Sequence, residues 1–238
     1  MRRPRNYTLA FYVALASASL LIFWPLSDDS AQFRRGIEAA EKGNFNQAFE
    51  YWEPLAEKGY PRAQYGLGVL YDRGQGVTRD PLAAAEWYRR AAEENVWEAQ
   101  LNLGLLYIAG NGVSRDYALA AILFRKAADR GIADAQVNLG NLYRQGWGVE
   151  RDSAEAVRWF RRAAVQDHSL GQYLLSEQLA ADDLENLADA YFWATLASDS
   201  SGAVADQARA LREQISDRLT EQDRSAVQRR VADWQPRR

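Results

Sequence analysis

The chain of 238 residues contains no cysteine, one histidine and one methionine. Without cysteine it forms no disulfide, zinc ribbon, iron–sulfur cluster or thiolate nucleophile. Its single histidine, His168, rules out a His-rich metal site within one chain, and any Ser–His–Asp triad would depend on that residue. These absences disfavour most classes of enzyme. We therefore predict a protein with no catalytic residue, no bound metal and no cofactor.

The sequence does contain ample apolar material for a core, since 47% of its residues are hydrophobic and eight are tryptophan. Of the 29 basic side chains, three are Arg2, Arg3 and Arg5, and the other 26 are outnumbered by 32 acidic ones. The chain beyond residue 5 therefore has a net charge of −6. A domain this acidic is a poor candidate for general nucleic-acid binding, so we expect no nucleic-acid partner.

An uncharged and mostly apolar segment, residues 6–27, follows the arginine cluster of residues 1–5. As a helix it would rise about 33 Å, enough to cross the hydrocarbon core of a membrane. We predict a transmembrane signal anchor at 6–27 with a basic cytoplasmic tip at 1–5, because arginines favour the cytoplasmic side. This places the larger domain in the periplasm, on the inner membrane of a bacterium. Two alternatives stay open: cleavage as a secretory signal near Ala16-Ser17-Ala18, and a domain that faces the cytoplasm.

The rest of the sequence repeats at a period of 36 residues. Three copies of Ala-Gln-x-x-Leu-Gly-x-Leu-Tyr begin at residues 63, 99 and 135. Each is followed by Gly-x-Gly-Val-x-x-Asp, and each unit closes with an aromatic residue, two basic residues and Ala-Ala. So many matches at one period indicate an array of repeats.

Each unit is predicted to be two antiparallel helices, because its apolar residues recur at helical spacing. A glycine recurs inside the first helix, at Gly68, Gly104 and Gly140. Because such a glycine costs about 1 kcal/mol relative to alanine, its recurrence predicts close approach to the alanine-rich second helix. The Gly-x-Gly-Val turn should end the first helix with a left-handed glycine. An aspartate is then predicted to cap each second helix, at Asp80, Asp116 and Asp152.

These elements together resemble the Sel-one-like repeat family, the 36-residue relatives of tetratricopeptide repeats. The resemblance implies an all-α fold, a right-handed α/α solenoid of about five helix hairpins at residues 28–202. The units are expected at residues 30–60, 63–98, 99–134, 135–168 and 169–202. The first is short, and the fifth is degenerate, with Ser176 in place of the packing glycine. Residues 203–238 are expected to form capping helices, in which Thr220 and Asp223 resemble a capping box.

In tetratricopeptide-like solenoids the first helices line a concave groove, and the resemblance implies the same here. Polar residues on those helices that differ between units are candidate partner-binding residues: Asn102, Asn138, Asn141, Arg144 and Gln145. Asparagine both donates and accepts hydrogen bonds, which suits an extended peptide. Alternatively, Asn102 and Asn138 satisfy local backbone groups. We expect a scaffold that binds proteins or peptides in a cell-envelope process, with an unknown oligomeric state.

An alternative function is a periplasmic module that binds peptidoglycan or hydrolyses the cell wall. Cysteine-rich members of the resembled family have been linked to cell-wall chemistry. This chain lacks those cysteines and has no Ser-x-x-Lys with supporting motifs, so the resemblance does not carry that activity over.

Other features of the sequence have structural interpretations. The Gly-x-Gly loops join two helices rather than a strand and a helix, so we interpret them as turns and not as phosphate sites. His168 is expected at the surface. The basic pairs at 89–90, 125–126 and 161–162 are expected to form a solvated face, with binding of an acidic partner as the alternative. Trp97 and Trp147 break the repeat pattern and are either buried or exposed binding anchors.

Overall fold

The computed structural model describes residues 28–182 and 186–236, which form helices and no strand. Twelve helices follow one another there: α1 (Asp28–Glu41), α2 (Phe45–Glu57), α3 (Pro61–Arg73), α4 (Pro81–Glu93), α5 (Trp97–Ala109), α6 (Tyr117–Asp129), α7 (Ala133–Gln145), α8 (Ser153–Ala164), α9 (Ser169–Asp182), α10 (Leu187–Ser198), α11 (Ala203–Ser216) and α12 (Glu221–Ala232). The anchor predicted at 6–27 lies outside the described residues. Among the helices that are described, none combines the length and the apolar character needed to span a membrane.

The helices pack as consecutive hairpins, which confirms the predicted all-α solenoid. The first helices α3, α5 and α7 begin at residues 61, 97 and 133, two residues before the alanines at which the sequence units were drawn. Contacts also join the first helices of consecutive units directly, from α3 to α5 and from α7 to α9.

The helical glycines leave space for aromatic rings of the second helices, whereas the sequence suggested close contact with their alanines. Gly104 faces Phe124, and a Cβ added to the glycine would lie 2.6 Å from Cε1 of the ring. The neighbouring units repeat this contact, with Gly68 against Tyr88 and Gly140 against Phe160. The close approach of the two helices is therefore confirmed, but the residue that needs the space is the aromatic one of the closing element.

The short first unit accommodates a larger ring in the same way. Trp52, which stands one period before Tyr88, lies between Gly36 of α1 and Gly66 of α3. An added Cβ would lie 2.2 Å from the indole at Gly36 and 2.7 Å from it at Gly66. The indole N–H donates to the carbonyl oxygen of Phe33 at 3.2 Å. The sequence analysis did not identify Gly36 as the packing glycine of this unit.

The Gly-x-Gly-Val turns end the first helices as predicted. Their first glycines are left-handed, with φ of 65° at Gly74, 68° at Gly110 and 71° at Gly146. The second glycine of each turn has a role that the sequence analysis missed. Gly112 lies against the backbone at the start of α4, where an added Cβ would be 2.2 Å from the carbonyl carbon of Pro81. The turn of one unit therefore packs on the second helix of the preceding unit.

The aspartates predicted as N-caps hold that position. The carboxylate of Asp116 accepts hydrogen bonds from the backbone N–H groups of Ala118 and Leu119, both at 2.9 Å. Asp80 and Asp152 cap α4 and α8 in the same way. Each carboxylate also meets the positive end of a helix dipole, so the acidic chemistry at these three positions is structural.

The C-terminal helices cover the last hairpin. Ile215 of α11 and Val227 of α12 are buried against the core of α9 and α10. Thr220 caps α12 by accepting from the N–H of Asp223 at 3.2 Å, while its hydroxyl donates to the carboxylate of that residue at 2.6 Å. In the fifth unit the hydroxyl of Ser176 donates to a carbonyl oxygen of α10 at 2.7 Å. A polar side chain thus replaces the glycine–ring contact.

Candidate functional site

Buried glutamines tie consecutive units together and so position the first helices side by side. Gln100, at the start of α5, is fully buried and donates from Nε2 to the carbonyl oxygen of Ala92 at 3.2 Å. The same bond recurs from Gln64 to Ala56, from Gln136 to Ala128 and from Gln172 to Ala164. The Ala-Gln pair that recurs in the sequence marks these positions, but the hydrogen bond was not predicted from it.

The exposed face that the first helices present is here named the first-helix groove. It includes the candidate residues Asn102, Asn138, Asn141, Arg144 and Gln145, together with Tyr65 of α3 and Glu177 of α9. All seven side chains are partly or fully exposed. Whether these residues bind a partner stays a prediction, but the structure does place their neighbours.

Asn102 lies beside two tyrosine hydroxyls, that of Tyr65 on the preceding first helix and that of Tyr88, and it acts to lower the pKa of both. Burial raises the pKa of Tyr65, the charge of Glu98 raises it further, and the hydrogen bond from Asn102 opposes them. Burial likewise raises the pKa of Tyr88 well above its ordinary value. Both phenols are therefore neutral at physiological pH and available for hydrogen bonding.

Asn138 fits the alternative interpretation, because its Nδ2 donates to the carbonyl oxygen of Asp134 one turn earlier, at 2.9 Å. A partly exposed asparagine held in this way still presents an amide edge to the groove. The two asparagines, one period apart, therefore differ in their partners although they stand at equivalent positions. Local chemistry, and not the repeat, determines what each offers to a ligand.

A cluster of paired charges closes the other end of the groove. Arg144 donates to Glu177 at 2.6 Å and to the side-chain oxygen of Asn141 at 2.9 Å. Its guanidinium lies 5.8 Å from the centre of the Phe160 ring. The hydroxyl of Tyr173 donates to the second carboxylate oxygen of Glu177 at 3.0 Å. The structure thus brings two predicted residues together with two that the sequence analysis missed.

His168 is more constrained than the surface residue that the sequence predicted. Its Nε2 lies 3.1 Å from the carboxylate of Asp134, and its Nδ1 accepts the backbone N–H of Gly171 at 3.1 Å. The side chain is 24% exposed. The hydrogen bond from His168 lowers the pKa of Asp134. The partly exposed histidine therefore caps α9 and joins α7 to α9, a role that was not predicted from the sequence.

The two tryptophans that break the repeat pattern have different environments. Trp97 is partly buried against the core of α5, α6 and α7. Trp147 is 47% exposed and stacks on Tyr117, with ring centres 5.1 Å apart. Of these two, only Trp147 offers a large apolar surface to a partner.

The groove offers hydrogen bonding rather than acid–base chemistry. Its tyrosines are neutral, and Arg144 and Glu177 neutralise each other. Among the described residues no group of three or more histidines and carboxylates could hold a metal ion. Such a surface can bind a peptide backbone through amide groups and discriminate among its side chains by charge.

Comparison with known proteins agrees with this architecture. A model of the Sel1 repeat matches residues 30–60, 61–96, 97–132 and 133–168. The structure of c5321, described as a protective antigen of uropathogenic Escherichia coli with an SLR fold, superposes with a TM-score of 0.73 at 30% identity. The match covers 87% of this chain and 44% of c5321.

Two further similarities are weaker or cover fewer residues. A Sel1 repeat protein from Oxalobacter formigenes superposes with a TM-score of 0.66 at 26% identity, over 79% of this chain and 86% of that one. The DAP3-binding cell death enhancer 1 of Rattus norvegicus is 38% identical over 45 residues, which are 19% of this chain and 9% of that protein. The chain thus spans about a tenth of the rat protein and less than half of c5321.

Proposed function

Because the chain belongs to the Sel1 repeat family, we propose that it is a non-catalytic scaffold that binds other proteins through the first-helix groove. The observation that carries this proposal is the contrast between a core that repeats and a groove that does not. The three full units each keep a buried glutamine and a buried aromatic ring, while the exposed side chains of α5 and α7 differ. An extended peptide across these helices would exchange hydrogen bonds with Asn138, Asn141 and Arg144.

Site-specific cross-linking tests the groove. A photo-reactive amino acid replaces Asn138 in the full chain, and Gln214, exposed on α11, is the matched control position. We expect discrete cross-linked proteins from position 138 that are absent from position 214 and weakened by Arg144→Ala. Identical patterns at both positions contradict the proposal. Co-sedimentation of the purified protein with peptidoglycan sacculi, without any cross-linked protein, would favour the cell-wall module instead.

We further propose that residues 6–27 anchor the scaffold in the inner membrane of a bacterium, with the solenoid in the periplasm, in a process of the cell envelope. The support for this is the sequence alone, an uncharged and mostly apolar segment behind three arginines. Sodium carbonate extraction should leave the protein in the membrane pellet. Release into the supernatant would contradict the anchor.

The orientation is tested separately by reporters fused after Arg238. Alkaline phosphatase, which is active only outside the cytoplasm, should be active in the fusion. A fluorescent fusion with green fluorescent protein, together with an inactive phosphatase fusion, would place the solenoid in the cytoplasm. The result determines whether the partners are sought among periplasmic or among cytoplasmic proteins.

A further inference from the structure

A second groove lies on the opposite layer of the solenoid, between the second helices α6 and α8. This outer groove has an apolar end at Ala118, Ile122 and Val149 and a basic end at Arg125, Arg158 and Arg162. The cavity at the apolar end measures about 420 Å³ and the one at the basic end about 230 Å³. Arg125 and Asp129 line both, so the two cavities are adjacent.

The apolar end has exposed apolar side chains that are not required for packing. Ile122 is 53% exposed, and Trp147, which is 47% exposed, lies in the turn that borders this end. The positions equivalent to Ile122 in the neighbouring units are Glu86 and Arg158, and both are exposed. Since the same helix position accepts either charge, the isoleucine is not required for packing. Clustered exposed apolar residues rimmed by charge are typical of interaction sites.

The basic end has an excess of cationic side chains, which favours the binding of carboxylates. Four cations, Arg125, Lys126, Arg158 and Arg162, line the outer groove against two carboxylates, Asp129 and Glu155. This local excess of positive charge stands in a chain whose formal net charge is −3. An acidic ligand is therefore favoured at this position and repelled by much of the remaining surface.

The geometry of the arginines supports the same ligand chemistry. The guanidinium groups of Arg125 and Arg162 lie 5.7 Å and 4.4 Å from the centre of the Trp159 ring. A stacked guanidinium has a fixed plane and can present its N–H edge to a carboxylate. Arg162 approaches Asp129 only to 4.0 Å, with both side chains more than half exposed. That weak contact leaves the arginine able to pair with a ligand.

We propose that the outer groove docks a short, acidic amphipathic helix of a partner protein. Apolar side chains of that helix cover Ile122 and Val149, and carboxylates about two turns away pair with Arg162, which lies beside Asp129. The separation follows from α6 itself, because Ile122 and Asp129 are seven residues, or about 10 Å, apart along the helix. A helix laid in a groove between two helices buries one face and leaves the other solvated.

The apolar end also distinguishes this ligand from a nucleic acid. A phosphate backbone would gain from the arginines but would leave Ile122 and Trp147 uncovered. Only a segment with both apolar and acidic side chains matches both ends. This surface is separate from the first-helix groove, so the two proposals can fail independently.

Selection from a random library tests the inference with a defined probe. Phage-displayed 16-residue peptides are selected on the full chain, and the recovered peptides are synthesised and measured by fluorescence anisotropy. We expect peptides rich in aspartate and glutamate with apolar residues at helical spacing. Their affinity should fall at least about tenfold in Ile122→Asp and in the double variant Arg158→Glu/Arg162→Glu, as expected when a dominant contact is reversed. The affinity should also fall with added salt.

Asn138→Ala is the matched control, because it alters the first-helix groove alone, and it should leave the affinity unchanged. Recovery of no peptide, or of peptides without an acidic excess, overturns the inference. So does binding lost in Asn138→Ala and retained in Ile122→Asp, which would assign the peptides to the first-helix groove. Binding of a labelled 20-nucleotide single strand that displaces the peptides would favour a nucleic acid. Dimers in sedimentation that Ile122→Asp removes, without peptide binding, would favour a second copy of this chain.

Discussion

A single methyl group added to Gly104 tests the central packing contact of the array. Gly104 stands in the middle of α5, where alanine would raise helix propensity by about 1 kcal/mol. In isolation Gly104→Ala should therefore stabilise the protein. The structure predicts the opposite, because the new Cβ would lie 2.6 Å from Cε1 of Phe124 and 3.0 Å from two further ring carbons.

The magnitude follows from how little the ring can move. Carbon atoms in contact normally lie about 3.5–4.0 Å apart, so the ring would have to shift by about 1 Å. Phe124 is fully buried between α5, α6 and α7 and has no solvent-exposed alternative. Overpacking costs about 1–3 kcal/mol, and this site should be at the upper end. After subtraction of the gain in helix propensity, we expect a net loss of about 2 kcal/mol.

Urea unfolding of the full chain, followed by circular dichroism, measures this loss. Phe124→Leu supplies the matched background, since leucine has no atom at the ring position that the methyl group would meet. In that background Gly104→Ala should be neutral or stabilise the protein by up to about 1 kcal/mol, which gives a coupling energy of about 2–3 kcal/mol in the double-mutant cycle. If Gly104→Ala stabilises the protein in both backgrounds, helix propensity alone operates and the close-approach explanation is refuted.

Three further substitutions test other contacts. Asp116→Ala should cost about 1 kcal/mol and Asp116→Asn much less, since an amide oxygen also caps a helix; equal losses in thermal unfolding would contradict the cap. Gln100→Leu removes one hydrogen bond to the carbonyl oxygen of Ala92 and leaves the one from the N–H of Asn95, so urea unfolding should show a loss of about 0.5–1.5 kcal/mol, and an unchanged midpoint would refute the tie between units. Asp134→Asn should cost at most about 1 kcal/mol at pH 7, because the carboxylate is 59% exposed and solvent screens its bond to His168. The pKa of Asp134 is lowered in the folded state, so its contribution is present above its ordinary value of 3.8 and is lost as the pH falls through the lowered value. The stability difference should therefore persist to pH 5 and close below pH 3.8, and a difference unchanged at pH 3 would contradict the assignment.

Features that depend on one residue and its own backbone were predictable from the sequence. A glycine can adopt a left-handed conformation and an aspartate can accept amide hydrogen bonds wherever they stand, so Gly110 and Asp116 could be assigned without a structure. The partner of Gly104 could not, because the choice between an alanine and Phe124 depends on how the second helix is rotated. That rotation is set by the packing of the whole hairpin.

Contacts between units were missed for a different reason, although the period contained the information. His168 meets Asp134 and Arg144 meets Glu177, pairs that are 34 and 33 residues apart. In an array with a period of 36, residues slightly less than one period apart lie on facing sides of consecutive first helices. A search for complementary side chains at that separation would have found both pairs and predicted that His168 contacts the preceding unit.

The buried ties explain why the exposed faces can diverge. Each of the three full units is held to the preceding one by a buried glutamine at its start and by the second glycine of its turn. Glu86, Ile122 and Arg158 stand at one position in three units and are all exposed, yet they are acidic, apolar and basic. Since packing does not constrain the residue type at that position, ligand binding can determine it. The exposed positions that differ between units are therefore the ones that should indicate the chemistry of a partner.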